Sequence, residues 1–168
     1  MELKFKHKIR VGVIAAAILI PVLTGLLSAF LTSEDMALYE SMARPDIAPP
    51  GWIFPIVWTV LYILMGCASY IVYVSDAEAE TKRKALIFYA LQLAMNFFWS
   101  TLFFTYMRYM TALIWLLVMW VLIIICTIRF FRIQRSAGFM MIPLLLWTTF
   151  AAYLNYTWYV LSITPMPI

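Results

Sequence analysis

Five stretches of this chain are each long and apolar enough to cross a lipid bilayer. A transmembrane helix needs about 20 mostly apolar residues, and the stretches that meet this requirement are 11–31, 52–74, 85–107, 110–128 and 139–163. The sequence therefore predicts an all-α fold, an integral membrane bundle of five transmembrane helices. Because the last four stretches are joined by short connections, we expect those helices to be sequential antiparallel neighbours.

The composition excludes an ordinary soluble protein. Hydrophobic residues make up 65% of the 168 residues and charged residues 12%, whereas charged residues are about 25% of a typical soluble domain. Such a chain cannot hide its apolar side chains in a soluble core. The length predicts a single transmembrane domain, residues 1–168, in contact with the lipid bilayer.

Lysine and arginine residues predict the orientation of the bundle, because cytoplasmic loops carry an excess of both. With five spans, the N-terminal tail and the second and fourth loops share one side and hold ten basic residues, against Arg44 and Arg108 on the other side. This predicts a multi-pass protein of the cell membrane with a cytoplasmic N-terminus. The loop 32–51 and the C-terminus would lie outside. Basic residues in such short loops do not indicate a nucleic-acid partner.

Residues that hold metals or carry acid–base chemistry are scarce. Cys67 and Cys126 lie in apolar runs without a CxxC spacing, and the one histidine, His7, lies in the N-terminal tail. The cysteines are interpreted as small core residues. No metal site, resident cofactor or nucleophile–base pair is predicted, so ordinary hydrolytic or metal-assisted catalysis is not expected.

The loop 32–51 is the one long connection between the predicted spans. It is acidic, and it ends in the turn Pro49-Pro50-Gly51 before the second span begins at about Trp52. Proline fixes φ and restricts the preceding residue to extended conformations, so this turn is rigid. Long ordered loops are often lids or binding loops. Two interpretations stay open: a lid across the mouth of a pocket, and a passive linker.

Polar and aromatic side chains recur at helical spacing in four of the spans. The stripes are Pro21, Gly25 and Ser28; Trp58, Tyr62 and Gly66; Gln92, Asn96 and Trp99/Ser100; and Trp147, Ala151, Asn155 and Trp158. Polar groups inside a bilayer usually face the bundle or a cavity. These amides are either glue between helices or the lining of a pocket for a flat, largely apolar ligand.

Ionisable residues are missing from the depths of the predicted spans. No carboxylate, lysine or arginine lies deep in any of them. Proton-coupled transporters, ion-channel filters and voltage sensors need ionisable groups or broken helices at depth. The sequence argues against these three classes.

Three segments resemble the signature motifs of one family. APPGWIFPIVWTVLYILMG (48–66) is similar to PPxWxFxxxWxxLYxxMG, LQLAMNFFWSTLFF (91–104) to QLxxNxxWxxxFF, and IPLLLWTTFAAYLNYTWY (142–159) to PYxxWxxxAxxLN. On these motifs the chain resembles a bacterial member of the translocator protein family, also called tryptophan-rich sensory protein or peripheral benzodiazepine receptor. The resemblance covers residues from about 11 to 159.

The resemblance implies a five-helix bundle, commonly a homodimer, with a pocket capped by the first loop. Members of this family bind porphyrins such as protoporphyrin IX, isoquinoline and benzodiazepine ligands, and in animals cholesterol. By position, the implied ligand-binding residues are Tyr39, Pro49, Trp58, Gln92, Asn96, Trp147, Ala151 and Asn155. Tyr62 joins them from its stripe. Bacterial homologues are reported to degrade protoporphyrin in light, which implies a photochemical role for Trp58 and Trp147.

The chain departs from the family pattern at several positions. Ile47 stands where many members have tryptophan, and Ser100-Thr101 stands where the third helix often has Pro-Pro. Leu144 stands where a tyrosine follows Ile-Pro. The animal cholesterol motif needs a lysine or arginine after a tyrosine near the C-terminus, and no basic residue follows Arg135. A cholesterol role is therefore not predicted.

Three functions remain open from the sequence. The leading one is membrane binding and sensing of tetrapyrroles, with a porphyrin as ligand, or as substrate of a light- and oxygen-dependent degradation. Whether the chain is an enzyme stays open. The second is a transporter or exporter of porphyrins or other apolar metabolites. The third is a structural or partner-assembly protein, suggested by a nearly uniformly apolar fourth span that is expected to be lipid-exposed or used for self-association.

Overall fold

Five long helices make up most of the computed structural model, which describes residues 11–33, 35, 45 and 47–164. They are α1 (Val11–Leu31), α2 (Ile53–Val74), α3 (Ala79–Ser100), α4 (Tyr109–Ile133) and α5 (Arg135–Ile163). A π-helical turn, Thr101–Thr105, continues α3. All five are long and apolar enough to cross a membrane, and none of the described residues forms a strand. The predicted all-α fold with five spans is confirmed.

The helices extend beyond the predicted spans mainly at their polar ends. The helix α3 begins at Ala79 rather than at residue 85, and Glu80 in its first turn pairs with Arg83 and Lys84. At the other boundary only Gln134, in extended conformation, separates α4 from α5. Hydropathy identifies the part of a helix that lies in hydrocarbon. It does not identify the charged turns that continue the same helix into water, so the predicted spans are shorter than the helices.

The helices pack in a ring whose order differs from their order along the chain. The helix α1 packs on α2, α2 on α5, α5 on α4 and α4 on α3, and α3 also touches α1. Although a short connection joins α2 to α3, α2 contacts α3 less than it contacts α1 or α5. The expectation of sequential neighbours therefore fails at α2 and α3. Their separation leaves room for a cleft between α1, α2 and α3.

The helices α1 and α2 come close together at Gly66. A Cβ atom added to Gly66 would lie 2.6 Å from Ile18 Cα and 2.7 Å from the carbonyl oxygen of Ala17. Ala17 precedes Pro21 by one helical turn, and Pro21 has no N–H group to donate to that carbonyl. Small residues allow such backbone approach within membranes. The α2 backbone therefore packs on α1 where the proline has removed a helical hydrogen bond.

One face of α4 is buried against its neighbours. Its buried side chains recur at helical spacing and are Ala112, Leu116, Met119, Ile123, Cys126, Thr127 and Phe130. On the opposite face, Ile114, Leu117, Val118 and Val121 are exposed. The expectation of a lipid-exposed or self-associating helix holds for one face only, because a nearly uniform apolar sequence has no periodicity that marks the packed face.

We predict that Gly66→Ala lowers the stability of the bundle. Alanine is favoured over glycine inside a helix by about 0.5–1 kcal/mol, but here the added methyl group meets backbone atoms of α1. A net loss of about 1–3 kcal/mol is expected, the usual cost of overpacking. Thermal unfolding in detergent, followed by circular dichroism, measures the change.

Gly12→Ala is the matched control for this prediction. An added Cβ at Gly12 meets nothing within 4 Å, so the same substitution should leave stability unchanged or raise it slightly. Equal stabilities of the Gly66→Ala and Gly12→Ala proteins would contradict the close approach of α1 and α2.

Candidate ligand-binding site

A cleft of about 120 Å³ opens between α1, α2 and α3 at the end of the bundle where the loop 32–51 connects α1 to α2. Its aromatic lining consists of Phe54, Trp58, Tyr62, Trp99 and Phe104. Hydroxyl groups reach it from α1 and from the end of α3, and the rest of the lining is mainly apolar. The cleft thus suits an apolar, aromatic ligand better than a charged one.

A second space, the small void, lies between α2, α3 and α5 and has a volume of only about 10 Å³. Phe54, Trp58 and Trp99 line both the cleft and the small void, and so they form the wall between the two. Trp147 and Ala151 line the small void from α5. The two tryptophans of the implied photochemistry, Trp58 and Trp147, therefore meet at the small void, and Trp58 alone of the two also lines the cleft.

A hydrogen bond between α2 and α3 fixes the deep end of the cleft. The Tyr62 hydroxyl donates to Asn96 Oδ1 over 2.9 Å, and both side chains are buried. The Tyr62 ring lies against Gly25 so closely that a Cβ atom there would come within 2.0 Å of a ring carbon. Trp58 stacks on the same ring, with centroids 5.5 Å apart. Three helices therefore meet at the Tyr62 side chain.

Several buried polar atoms near the helix axes have no hydrogen-bond partner among the described residues. They are Gln92 Oε1 and Nε2, Asn96 Nδ2 and Trp147 Nε1. Gln92 is 0% exposed and Asn96 is 2% exposed. Leaving a buried polar group unsatisfied costs about 1–3 kcal/mol. Gln92 and Asn96 line neither the cleft nor the small void, so a ligand would reach them only in an opened site, where binding to these atoms would replace no bond to a described residue.

Asn155 differs from the other amides because both ends of its side chain are engaged. Its Nδ2 donates to the carbonyl oxygen of Tyr109 over 2.8 Å, and its Oδ1 accepts a bond of 3.4 Å from Trp99 Nε1. Asn155 lines the small void, but these bonds join α5 to the start of α4 and to the end of α3. Its geometry supports a role in holding the helices together.

The π-helical turn after α3 brings two phenylalanines to the site. The Tyr106 N–H donates to the Thr101 carbonyl over 3.1 Å, which is the wide spacing of a π-helix. Phe104 then lines the cleft, and Phe103 stacks on Trp99 with centroids 5.2 Å apart. At the end of the turn, the Thr105 hydroxyl donates to Asp35 over 2.6 Å. This bond ties the chain beyond α1 to α3 beside the cleft.

The predicted site residues fall into three groups. Those that line the cleft, the small void or both are Trp58, Tyr62, Trp147, Ala151 and Asn155. The second group lines neither the cleft nor the small void. It consists of the buried Gln92 and Asn96 and of Pro49, which is partly buried before α2. Tyr39 lies outside the described residues.

The structure adds residues that the sequence did not assign to the site. The main ones are Phe54, Trp99 and Phe104. Trp99 is three residues after Asn96 in the same stripe, so helical spacing was a sufficient signal for it. Phe104 reaches the cleft through the π-helical turn, for which the sequence carries no comparable signal.

Metal-binding side chains are few in the described ranges. No cluster of three or more His, Cys, Asp or Glu side chains there is placed to hold a metal ion. Cys67 and Cys126 are both free thiols, and Cys126 is buried in α4. The side chains that line the site carry aromatic rings, an amide and hydroxyl groups.

Comparison with known proteins shows similarity over most of the chain. The model of the TspO/MBR family matches residues 17–161. The Tryptophan-rich sensory protein of Cereibacter sphaeroides is 40% identical over 118 residues, 70% of this chain and 72% of the relative. The Tryptophan-rich protein TspO of Chlorobaculum tepidum is 32% identical over 138 residues, 82% and 86% of the two chains. The Translocator protein of Bos taurus is 33% identical over 141 residues, 82% and 83%.

We predict that Tyr62→Phe destabilises the protein although it removes a single oxygen atom. The change leaves Asn96 Oδ1 without its donor in a buried position, at an expected cost of about 1–2 kcal/mol. Chemical unfolding in mixed micelles measures the difference. Tyr153→Phe is the control, because Tyr153 is exposed, and it should have no effect. If both variants unfold like the wild type, the bond does not hold α2 to α3.

Proposed function

This protein belongs to the TspO/MBR family of membrane proteins, and we propose that it binds a tetrapyrrole of the protoporphyrin IX class between α1, α2, α3 and α5 as a membrane sensor. The observation that carries the proposal is the aromatic wall of Phe54, Trp58 and Trp99, which separates two apolar spaces. The buried amides of Gln92 and Asn96, on the same helix as Trp99, add polar atoms that have no partner among the described residues. Flat ring systems bind by stacking on such side chains.

The dimensions of the site require it to open for such a ligand. Pockets for drug-sized molecules measure about 300–1,000 Å³, whereas the cleft measures about 120 Å³ and the small void about 10 Å³. Rotation of Phe54 and Trp58 would join the two spaces into one, while the bond from Trp99 to Asn155 keeps Trp99 in place. The joined pocket would reach from α1 to Trp147 on α5.

The chemistry of the lining sets the orientation of the ligand. One face of the tetrapyrrole would stack on Trp58 and Trp99, and the amides of Gln92 and Asn96 would reach the central pyrrole nitrogens from the other face. The two carboxylates of protoporphyrin IX would stay at the mouth of the cleft near water, because no basic side chain lies deep in the described spans to neutralise them. Amides and indoles thus recognise the ring, and solvent accommodates the charge.

The proposal extends to light-dependent degradation of the bound porphyrin. Trp58 and Trp147 line the same small void, so an indole would lie beside the ring of a bound porphyrin. Photoexcited porphyrin and dioxygen would supply the oxidising power, and the indole would act as a nearby electron donor. This role requires the porphyrin to reach the small void and not only the cleft.

Replacement of the wall tryptophan should weaken binding. In a dark titration with protoporphyrin IX, followed by porphyrin absorbance, Trp58→Phe should raise the dissociation constant about 3–10-fold, because the smaller phenyl ring keeps only part of the stacking contact. Trp147→Phe should bind more nearly like the wild type but slow the loss of porphyrin absorbance under illumination in air.

The control for this experiment is Trp120→Phe. Trp120 lines neither space, and its Nε1 donates to Thr149 Oγ1 on α5. It should match the wild type in both binding and bleaching. Absence of saturable binding by the folded wild-type protein would overturn the proposal. Equal effects of Trp58→Phe and Trp120→Phe would show that the ligand does not bind at the aromatic wall.

We also predict opposite effects of Gln92→Leu on stability and on binding. Because neither polar atom of Gln92 has a partner among the residues that the structure describes, leucine should raise the unfolding temperature of the empty protein. The same change should weaken porphyrin binding several-fold, about 1 kcal/mol for one hydrogen bond. Calorimetry and the dark titration measure the two effects. Lower stability with unchanged binding would identify Gln92 as glue between helices.

A further inference from the structure

The end of the bundle opposite the cleft carries basic side chains of two different kinds. Here α2 ends, α3 begins, and α4 leads into α5. The first kind lies at the start of α3, where each basic side chain bonds to another group of the protein. Lys82 Nζ donates to the carbonyl oxygens of Tyr73 and Ser75, and Arg83 and Lys84 pair with Glu80 at 2.8 Å and 3.3 Å.

The second kind consists of Arg129, Arg132 and Arg135. Arg129 and Arg132 are one turn apart near the end of α4, and Arg135 begins α5. None of the three has a carboxylate partner in the described part of the chain. An excess of basic residues at this end fits the predicted topology, but topology does not require these arginines to lack a carboxylate partner among the described residues while their neighbours on α3 have one.

An aromatic ring positions the first of these arginines. The Arg129 guanidinium carbon lies 4.7 Å from the centroid of the Phe88 ring of α3. A guanidinium stacked on a ring keeps its N–H groups free at the edge, where they match the oxygens of a phosphate. Arg132 is exposed on the following turn, and side chains three residues apart share a helix face. Two cationic groups therefore face one position between α3 and α4.

A strip of apolar side chains leads away from this position on the side of α4 that meets α3, and we call this strip, Leu122, Ile125 and Trp115 of α4 with Phe98 of α3, the groove. Ile125 and Leu122 lie one and two turns before Arg129 on the same face of α4, and both are partly exposed. The groove ends where Phe98 of α3 meets Trp115 of α4, with centroids 6.5 Å apart. Arg129 and Trp115 are separated by about 21 Å along α4 at 1.5 Å per residue. This exceeds half of the hydrocarbon core, which is about 30 Å thick.

We propose that this groove binds one anionic phospholipid. The phosphate contacts Arg129 and Arg132 at the membrane surface, and an acyl chain lies along the groove between α3 and α4. Bidentate arginine–phosphate bonds supply the polar contact, and basic pockets between transmembrane helices are known to bind anionic head groups. A head group without an ammonium is preferred, because a choline or ethanolamine cation would be repelled by the two arginines. This site is separate from the tetrapyrrole site and does not depend on it.

Native mass spectrometry of the full-length protein in detergent tests the proposal. Phosphatidylglycerol and phosphatidylcholine with identical acyl chains are added in equal amounts, and the bound lipid is counted. The wild type should retain one phosphatidylglycerol in preference to phosphatidylcholine. Arg129→Gln/Arg132→Gln should reduce that preference about tenfold or more, since each basic residue contributes at the membrane surface. Phe88→Leu should reduce it in part without changing the charge.

The matched control is Arg83→Gln/Lys84→Gln, which removes two charges from the same end of the bundle at positions paired with Glu80. It should keep the wild-type preference. An unchanged preference in Arg129→Gln/Arg132→Gln would overturn the proposal. Equal losses in the two double variants would also overturn it, because they would show attraction by overall charge rather than a site.

Discussion

The cleft depends on the hydrogen bond from Tyr62 to Asn96. Inside a bilayer no water competes for these groups, so an unpaired hydroxyl or amide oxygen would be costly. The bond holds α2 to α3 at one depth, and the Tyr62 ring reaches that depth because Gly25 leaves room for it on α1. The cleft lies between this bond and the end of the bundle at the loop 32–51, and α1, α2 and α3 all line it. One polar bond and one glycine thus decide where the bundle is closed and where it is open.

The remaining helices form a firmer scaffold around this junction. The helix α4 packs against both α3 and α5, and the amide of Asn155 joins α5 to α3 and to the start of α4. By contrast, α1 is the least buried of the five helices, and within it only Pro21 and Ser28 are buried. Enlargement of the site for a ligand is therefore expected to involve α1, Phe54 and Trp58, while α3, α4 and α5 keep their positions.

The sequence predicted the features of this structure that follow from the length of an apolar run or from the helical spacing of side chains. Apolar length predicted five spans, and the spacing of Tyr62, Asn96 and Trp147 placed them on faces that turn toward the bundle. The sequence could not predict the ring order of the helices, because short connections leave open which distant helix packs on α2. It also could not predict the π-helical turn that turns Phe104 toward the cleft. Ser100-Thr101 at its start keep the backbone N–H groups that a Pro-Pro pair would lack. Nor could it show that the Asn155 amide forms two hydrogen bonds while the Gln92 amide forms none with any described residue.

Nuclear magnetic resonance of the Gln92 side chain tests the central claim most directly. The chain has two glutamines, Gln92 and Gln134, so protein labelled with ¹⁵N in the glutamine side chain gives one resonance from the site and one from the junction of α4 and α5. Addition of protoporphyrin IX in the dark should shift the Gln92 amide signal as it gains a hydrogen bond, while the Gln134 signal stays in place. A saturating titration that leaves the Gln92 signal unmoved, or moves both signals equally, would contradict the account.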